Sequence, residues 1–376
     1  ALKANKNWIK KGGTIIVNID TFTKRDFEKA GYETNPLEDN SFEGFNIIQA
    51  PITKLTREAL RDSGLDGKSI GRSKNMFALG IVYWMFNRPM EQTEKFLQNK
   101  FAKKPEVVAA NIKVMHAGYN FAETIEALPS SYTVLSANLE KGTYRNVMGN
   151  QAIAWGFLAA AERASKELFL GSYPITPASD ILHELAKHKN LSVKTFQAED
   201  EIAGICSAIG ASFTGSLAIT TTSGPGLALK GEGLGLAIMT ELPLVVVNVQ
   251  RGGPSTGLPT KTEQSDLMQA LYGRNGESPA VVLASSTPGN CFDWAYMASK
   301  ITLEHNTPVV LLSDGYLANG AEPWKIKSTK DMPEIHPNIA VEGEEYQPYA
   351  RDEKTLARKL ALPGTKGLEH RLGGLE

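Results

Sequence analysis

A nearly continuous apolar run occupies residues 243–249, Pro243-Leu244-Val245-Val246-Val247-Asn248-Val249. Such a run is typical of a strand that is covered on both faces, as strands of parallel sheets are. Similar short segments lie at 168–173, 192–197, 217–222, 280–284 and 308–312, and helical patterns fill the intervals at 150–167, 178–188, 200–214 and 227–240. This alternation predicts an α/β fold, a doubly wound parallel sheet over residues 146–330, with ligands at the carboxyl ends of its strands.

The remaining residues divide into three parts. Residues 1–128 are predicted to form a smaller α/β domain, with strands at 14–18 and 45–50 and helices at 74–86, 90–101 and 105–125. Residues 129–145 are predicted to be a linker, and residues 331–376 the start of a following segment. The chain opens without Met and stops without a closing element, so we expect further sequence on both sides of it.

Composition excludes several classes of protein. The 376 residues carry 40 basic and 41 acidic side chains, so charge gives no reason to expect nucleic acid or an anionic membrane as the partner. The longest apolar stretch, 77–86, is about half of the roughly 20 residues that a membrane span needs. Two cysteines exclude a disulfide framework, a four-thiolate zinc site and an iron–sulfur cluster bound by this chain alone. We therefore expect a cytoplasmic protein.

An acidic triplet, Glu199-Asp200-Glu201, stands where a predicted strand gives way to a helix. Acids in a first helical turn interact favourably with the helix dipole, which accounts for Glu199 and Asp200. The residues after Glu201 are small and apolar, Ile202 to Cys206, and predict a buried environment in which a carboxylate needs a partner. Cys206 itself is interpreted as a small core residue. Whether the partner of Glu201 is protein or ligand stays open from the pattern.

A proline-bracketed turn, Tyr173-Pro174-Ile175-Thr176-Pro177, follows another predicted strand. The two prolines fix the backbone and hold one hydroxyl at a strand end, where ligands bind in such sheets. A rigid turn in which Thr176 caps the next helix explains the pattern equally well.

The densest signal is the loop Arg251-Gly252-Gly253-Pro254-Ser255-Thr256-Gly257-Leu258-Pro259-Thr260, which follows the 243–249 strand. A guanidinium can bind a carboxylate through two parallel hydrogen bonds, and loop amides and hydroxyls can complete an anion site. The alternative is an arginine that pairs with a structural carboxylate. We favour ligand binding.

These motifs together give the chain a family resemblance. Four segments occur in the order found in α subunits of 2-oxoacid:ferredoxin oxidoreductases. They are the Tyr173–Pro177 turn, Gln197-Ala198-Glu199-Asp200-Glu201-Ile202, Thr222-Ser223-Gly224-Pro225-Gly226 and the 250–260 loop. The chain most resembles the 2-oxoglutarate-oxidising type, in which a γ domain is fused ahead of the α domain. Residues 1–128 are similar to that γ domain through the helix Lys74-Asn75-Met76-Phe77-Ala78-Leu79-Gly80.

The resemblance implies a role for individual residues. The α domain would be the pyrimidine-side half of a thiamine diphosphate site, and Glu201 would meet the aminopyrimidine ring nitrogen and promote activation of the cofactor. Thr176 and Arg251 would hold the 2-oxoacid carboxylate, so that with Glu201 they form the catalytic set. The remaining residues implied are Pro174, Ile175, Gly224 and Pro225 for the cofactor and Thr256 and Thr260 for the substrate.

The resemblance also implies partners that this chain lacks. A β subunit would bring Mg2+ and the iron–sulfur cluster, coenzyme A would be the co-substrate, and ferredoxin or flavodoxin would accept the electrons in an αβ or (αβ)2 assembly. No metal site is expected in this chain. Two alternatives remain open, which are the same chemistry on pyruvate or a branched 2-oxoacid, and a non-catalytic assembly subunit of the same fold.

Overall fold

The computed structural model describes residues 2–128 and 132–371, so part of the predicted linker, residues 129–131, lies outside the described residues. The chain forms two compact units that divide between Leu139 and Glu140. No helix in the described ranges is both long enough and apolar enough to cross a membrane.

The first unit combines a small parallel sheet with helices. Its elements are α1 (Leu2–Asn5), β1 (Thr14–Asn18), α2 (Lys24–Ala30), β2 (Asn46–Ala50), α3 (Ile52–Ala59), α4 (Gly67–Arg72), α5 (Lys74–Met85), α6 (Glu91–Lys100) and α7 (Pro105–Thr124). Strands β1 and β2 pair in parallel, and α5 packs closely on α7 because Gly80 lies against the backbone of Met115, where a Cβ would collide. The predicted strands and long helices are present, whereas α1, α2, α3 and α4 are additional.

The second unit begins with an antiparallel strand and continues as alternating helices and strands. Its elements are β3 (Tyr144–Met148), α8 (Gly149–Arg163), β4 (Leu168–Ser172), α9 (Ser179–Leu185), β5 (Val193–Gln197), α10 (Glu201–Phe213), β6 (Leu217–Thr222), α11 (Pro225–Leu229), α12 (Gly231–Met239), β7 (Leu244–Gln250), α13 (Leu267–Tyr272), β8 (Val281–Ala284), α14 (Asn290–His305), β9 (Val309–Asp314), α15 (Gly315–Asn319) and β10 (Ala321–Lys325).

Six of these strands form one parallel sheet in the order β5-β4-β6-β7-β9-β8. The direction in which the chain adds strands reverses between β4 and β6. After β4 the chain forms β5 at the edge of the sheet, and it then crosses back to form β6 on the other side of β4. A second reversal lies between β7 and β9. Ligands of open α/β sheets bind at the carboxyl ends of strands at such switch points, so the topology places two candidate crevices on one edge.

The sheet is covered on both faces. One apolar cluster joins it to α8, α9 and α14, and a second joins it to α10 and α12. Strands β6 and β7 are buried along their whole length, as the apolar run at 243–249 predicts. The predicted fold class, a doubly wound parallel sheet preceded by a smaller α/β domain, is confirmed.

One local expectation was wrong, and one element pair was missed. The helix predicted over 227–240 is two helices, α11 and α12, because the chain turns at Lys230. The antiparallel pair β3 and β10 was not predicted. Its segments are short, and β10 contains Pro323, so neither carries the β-branched run by which the other strands are recognised.

Candidate functional site

The quoted motifs meet at the carboxyl edge of the six-stranded sheet. The Tyr173–Pro177 turn follows β4, Glu201 opens α10 after β5, residues 223–226 follow β6, and the 251–260 loop follows β7. Because parallel strands end at the same edge, segments as distant in sequence as 173 and 251 become neighbours. The switch point between β4 and β6 lies among them.

Gly226 marks the point where three of these segments converge. A Cβ there would collide with the hydroxyl oxygens of Thr222 and Tyr173 and would lie 3.0 Å from Cγ of Glu201. The two hydroxyls are themselves hydrogen-bonded at 2.9 Å. Glycine at this position therefore leaves the space in which the Glu201 carboxylate and two hydroxyls face one another.

Tyr173 stays a neutral hydrogen-bonding group in this environment. Its side chain is buried, and burial, together with the neighbouring Glu201, raises the pKa of its phenol above the usual value. The hydroxyl can therefore donate or accept a hydrogen bond beside Glu201 but does not supply a charge there.

Glu201 is the first residue of α10 and is half-buried. Asp200 caps the helix, since its carboxylate accepts a 2.9 Å hydrogen bond from the amide of Ala203. The buried environment predicted from the following residues was wrong, because Ile202 is 55% exposed and Cys206 is exposed too. Only one face of α10 packs on the sheet, through Gly204 and Ile205, so one side of Glu201 remains open.

Arg251 joins two of the loops. Its side chain is 4% exposed, Nη1 donates to the carbonyl of Thr176 at 2.6 Å, and Nη2 donates to the carbonyl of Thr256 at 2.9 Å. Within residues 2–128 and 132–371 its Nε has no hydrogen-bond partner. Both named partners are neutral carbonyls, so the contacts do not pair this arginine with a structural carboxylate.

A cavity of about 240 Å³ opens beside Thr176 and Thr260. Both threonines are exposed, and the remaining lining residues are Pro177, Ser179, Asp180, Pro259, Gly315 and Asn319. The cavity therefore joins the turn after β4 to the loop after β7 and reaches α15 behind the second switch point. Its size suits a small organic acid better than a large ligand.

The other predicted residues lie on the same edge in different environments. Pro174 and Thr256 are exposed, whereas Ile175 packs its side chain against the core and its backbone amide donates to the Ser179 hydroxyl at 2.8 Å. Gly224 is buried at a positive φ of 40°, with Arg251 Cγ 3.5 Å from the position of a Cβ, and Pro225 begins α11. The buried hydroxyl of Ser223, between these segments, has no partner among the described residues.

Sequence reasoning missed Lys230. Its side chain is fully buried, and Nζ donates to the carbonyl of Glu201 at 2.8 Å and to the hydroxyl of Thr220 at 2.9 Å. Burial lowers the pKa of Lys230 to about 8, although the nearby Glu201 and Asp200 act in the opposite direction. A single lysine inside the apolar segment 227–240 was the available signal.

The fold and the site define a class of protein, which is a doubly wound α/β domain with a polar ligand site at a topological switch point. A family model described as pyruvate flavodoxin/ferredoxin oxidoreductase, thiamine diphosphate-binding, matches residues 160–376. A second model, described as pyruvate ferredoxin/flavodoxin oxidoreductase, matches residues 1–121. The chain therefore belongs to the pyruvate flavodoxin/ferredoxin oxidoreductase family, as its motifs predicted.

Similar proteins come from bacteria and archaea. The chain is 55% identical over 376 residues to 2-oxoglutarate oxidoreductase subunit KorA of Mycobacterium tuberculosis. It is 32% identical over 292 residues, 73% of this chain, to subunit alpha of 2-oxoacid:ferredoxin oxidoreductase 2 of Aeropyrum pernix. A solved structure of 2-oxoglutarate:ferredoxin oxidoreductase from Magnetococcus marinus, with 2-oxoglutarate, coenzyme A and succinyl-CoA bound, matches all of this chain with a TM-score of 0.83 and 34% identity.

The chain spans only part of each of these proteins. It covers 58% of the Mycobacterium protein, 44% of the Aeropyrum protein and 61% of the Magnetococcus chain. The activity, substrates and partners of a whole enzyme are therefore treated below as proposals.

Proposed function

We propose that this chain is part of the α subunit, with its γ domain fused ahead, of a thiamine-diphosphate-dependent 2-oxoacid:ferredoxin oxidoreductase. The enzyme would convert 2-oxoglutarate and coenzyme A to succinyl-CoA and CO2 and pass the electrons to ferredoxin. The observation that carries the proposal is the convergence of Glu201, Tyr173 and Thr222 around Gly226 at the switch point of the sheet. Identity of 55% along the whole chain to a 2-oxoglutarate oxidoreductase subunit supports the choice of substrate.

The residues at this edge suit the pyrimidine half of thiamine diphosphate. The Glu201 carboxylate is open on one side, Gly226 lets the Tyr173 and Thr222 hydroxyls approach it, and the buried Ser223 hydroxyl has no partner among the described residues. Glu201 would accept or supply the proton at the pyrimidine ring nitrogen, while Pro174, Ile175, Gly224 and Pro225 would pack around the ring. When bound, the cofactor supplies the nucleophilic carbon and the electron sink that amino-acid side chains lack.

The substrate would lie against the two threonine-bearing loops. Thr176 and Thr260 line the 240 Å³ cavity, and Thr256 is fixed through its carbonyl by Arg251. Arg251 would orient the 2-oxoacid carboxylate by its charge, by its free Nε–H and by holding Thr176 in place. This is the residue set proposed for substrate recognition.

The missing parts would come from a β subunit. In the described ranges no cluster of three His, Cys, Asp or Glu side chains is suitably placed to hold a metal ion, so we assign Mg2+ and the iron–sulfur cluster to that partner. The proposed assembly is αβ or (αβ)2, with ferredoxin or flavodoxin as electron acceptor. The exposed thiol of Cys206 supports a reducing compartment, proposed to be the cytoplasm.

The proposal is tested by dye reduction in the complex purified with its native subunits. Reduction that requires both 2-oxoglutarate and coenzyme A, and that is absent with pyruvate, is the expected result. Dye reduction with pyruvate or a branched 2-oxoacid, but not with 2-oxoglutarate, would overturn the proposed substrate and leave the proposed chemistry unchanged. No rate with any 2-oxoacid, in a complex that contains thiamine diphosphate and clusters, would overturn the enzymatic proposal in favour of an assembly role.

A further inference from the structure

Lys230 is a fully buried cation without a charged hydrogen-bond partner. Its two acceptors, the Glu201 carbonyl and the Thr220 hydroxyl, are both neutral. A buried charge is costly unless it is paired. Arg358 offers a comparison within the same chain, since that buried cation has a carboxylate oxygen of Glu241 2.9 Å from its Nε. Lys230 lacks such a partner and therefore needs another explanation.

The surroundings of Lys230 belong to the candidate site. Its Nζ lies 5.3 Å from the centre of the Tyr173 ring, and Gly204 leaves the space beside it, because a Cβ there would be 3.3 Å from Nζ. Lys230 stands between α11 and α12, and its Nζ reaches the first turn of α10 at the Glu201 carbonyl. Two of the four motif-bearing segments, those of Tyr173 and Glu201, thus lie beside one ammonium group.

Packing alone does not require a charge at this position. A methionine would fill a similar volume without the cost of burying an ion. The ammonium, however, can hold the Glu201 backbone by a charge-assisted hydrogen bond, which is stronger than a neutral one. The charged and titratable groups that face Lys230 are Glu201, Asp200 and Cys206, all of which favour its protonated form, and Tyr173.

We propose that Lys230 is a positioning residue, whose ammonium group fixes the first turn of α10 so that Glu201 is held toward bound thiamine diphosphate. The inference rests on the proposed function and deepens it. Burial lowers the pKa of Lys230 to about 8. The charge-assisted hydrogen bond to the Glu201 carbonyl therefore weakens as pH rises through the range just above neutrality. Cofactor affinity is then coupled to the protonation of Lys230.

The test is the dissociation constant for thiamine diphosphate between pH 7 and pH 9, measured by calorimetry on the cofactor-depleted native complex. In the unsubstituted protein we expect the constant to rise about tenfold across this range, which is the scale of one hydrogen bond. Lys230→Met should bind about tenfold more weakly at pH 7 and show no such rise. Lys230→Gln, which keeps a donor but no charge, should also lack the pH dependence.

Controls separate this inference from its alternatives. Lys166→Met removes a partly buried lysine just before the amino end of β4, at the opposite edge of the sheet, and should reproduce the unsubstituted curve. Cys206→Ser should do the same, which excludes the thiol as the titrating group. Melting temperatures establish that each variant is folded.

The outcomes are distinguishable. Absence of thiamine diphosphate binding in the unsubstituted complex at every pH would overturn the proposed function. Binding that is independent of pH in that complex would overturn the inference alone. A third outcome is that Lys230→Met weakens thiamine diphosphate binding by the same factor at every pH, while the dissociation constant still rises between pH 7 and pH 9. Lys230 would then have a structural role only.

Discussion

Nη1 of Arg251 donates a 2.6 Å hydrogen bond to the carbonyl oxygen of Thr176 and so connects the loop after β7 to the turn after β4. These two strands lie on either side of β6 in the sheet. The arginine side chain crosses the carboxyl end of β6 with its Cγ near Gly224. One buried side chain therefore fixes the relative positions of three loops that carry candidate site residues.

Arg251→Ala is expected to lower kcat/KM for the 2-oxoacid by about 100-fold, because a charge-assisted contact and the alignment of Thr176 are lost together. The measurement is steady-state kinetics of the reconstituted complex. The matched control is Arg274→Ala, which also removes a guanidinium bound to backbone carbonyls, those of Ala270, Leu271 and Ser278. That variant should lose stability but keep kcat/KM, and equal kinetic losses in both variants would contradict a specific role for Arg251.

Glu201→Gln is expected to reduce turnover by at least about 100-fold, since an amide cannot exchange a proton with the pyrimidine ring. Assembly with the partner subunit, measured by size-exclusion chromatography, should be unchanged. Glu199→Gln is the control, because it makes the same change at an exposed acid two residues earlier. Normal turnover of Glu201→Gln would remove this residue from the mechanism.

Gly226→Ala is expected to abolish measurable binding of thiamine diphosphate, because the added methyl would displace Thr222, Tyr173 or Glu201 from their present arrangement. Gly235→Ala is the control within α12, where a Cβ would meet nothing within 4 Å. That change should raise the free energy of unfolding by about 0.5–1 kcal/mol through helix propensity. Unaltered cofactor affinity in Gly226→Ala would contradict the proposed location of the pyrimidine.

Much of the fold could be predicted from local patterns. The strands β6 and β7 carry apolar runs because both of their faces are covered, and the motifs after them mark the edge at which ligands bind. Strands β3 and β10 were missed because they pair with each other through segments without a strong alternation or a β-branched run. What a strand pairs with is a tertiary property that local sequence does not encode.

The least predictable parts of the site depend on contacts between distant residues. The apolar residues after Glu201 indicated burial, but α10 covers the sheet with one face only, so Ile202 and Cys206 remain exposed. The break between α11 and α12 falls at Lys230, whose ammonium group donates to two acceptors from other segments, the Glu201 carbonyl and the Thr220 hydroxyl. A helix that breaks where its pattern predicts continuity is a sign that function competes with local propensity.

Lys230 should also leave a signature in the pH dependence of stability. Its pKa falls from 10.5 to about 8 on folding, so between these values the unfolded chain binds more protons than the folded one, and stability must rise with pH. Relative to Lys230→Met, the unsubstituted protein should gain up to roughly 3 kcal/mol between pH 8 and pH 10.5 and show a constant difference below pH 8.

Urea unfolding followed by tryptophan fluorescence measures this difference. Replacing Trp8 and Trp84 with phenylalanine leaves Trp155, Trp294 and Trp324, which all lie in the second unit with Lys230, so the signal reports on the relevant transition. Lys194→Met, at an exposed ion pair with Glu167, is the control and should show no comparable gain over the same range. The stability difference between Lys230→Met and the unsubstituted protein could instead be equal at pH 7 and pH 10. That result would mean that the buried ammonium does not titrate in this range. The coupling to cofactor binding would then lose its physical basis.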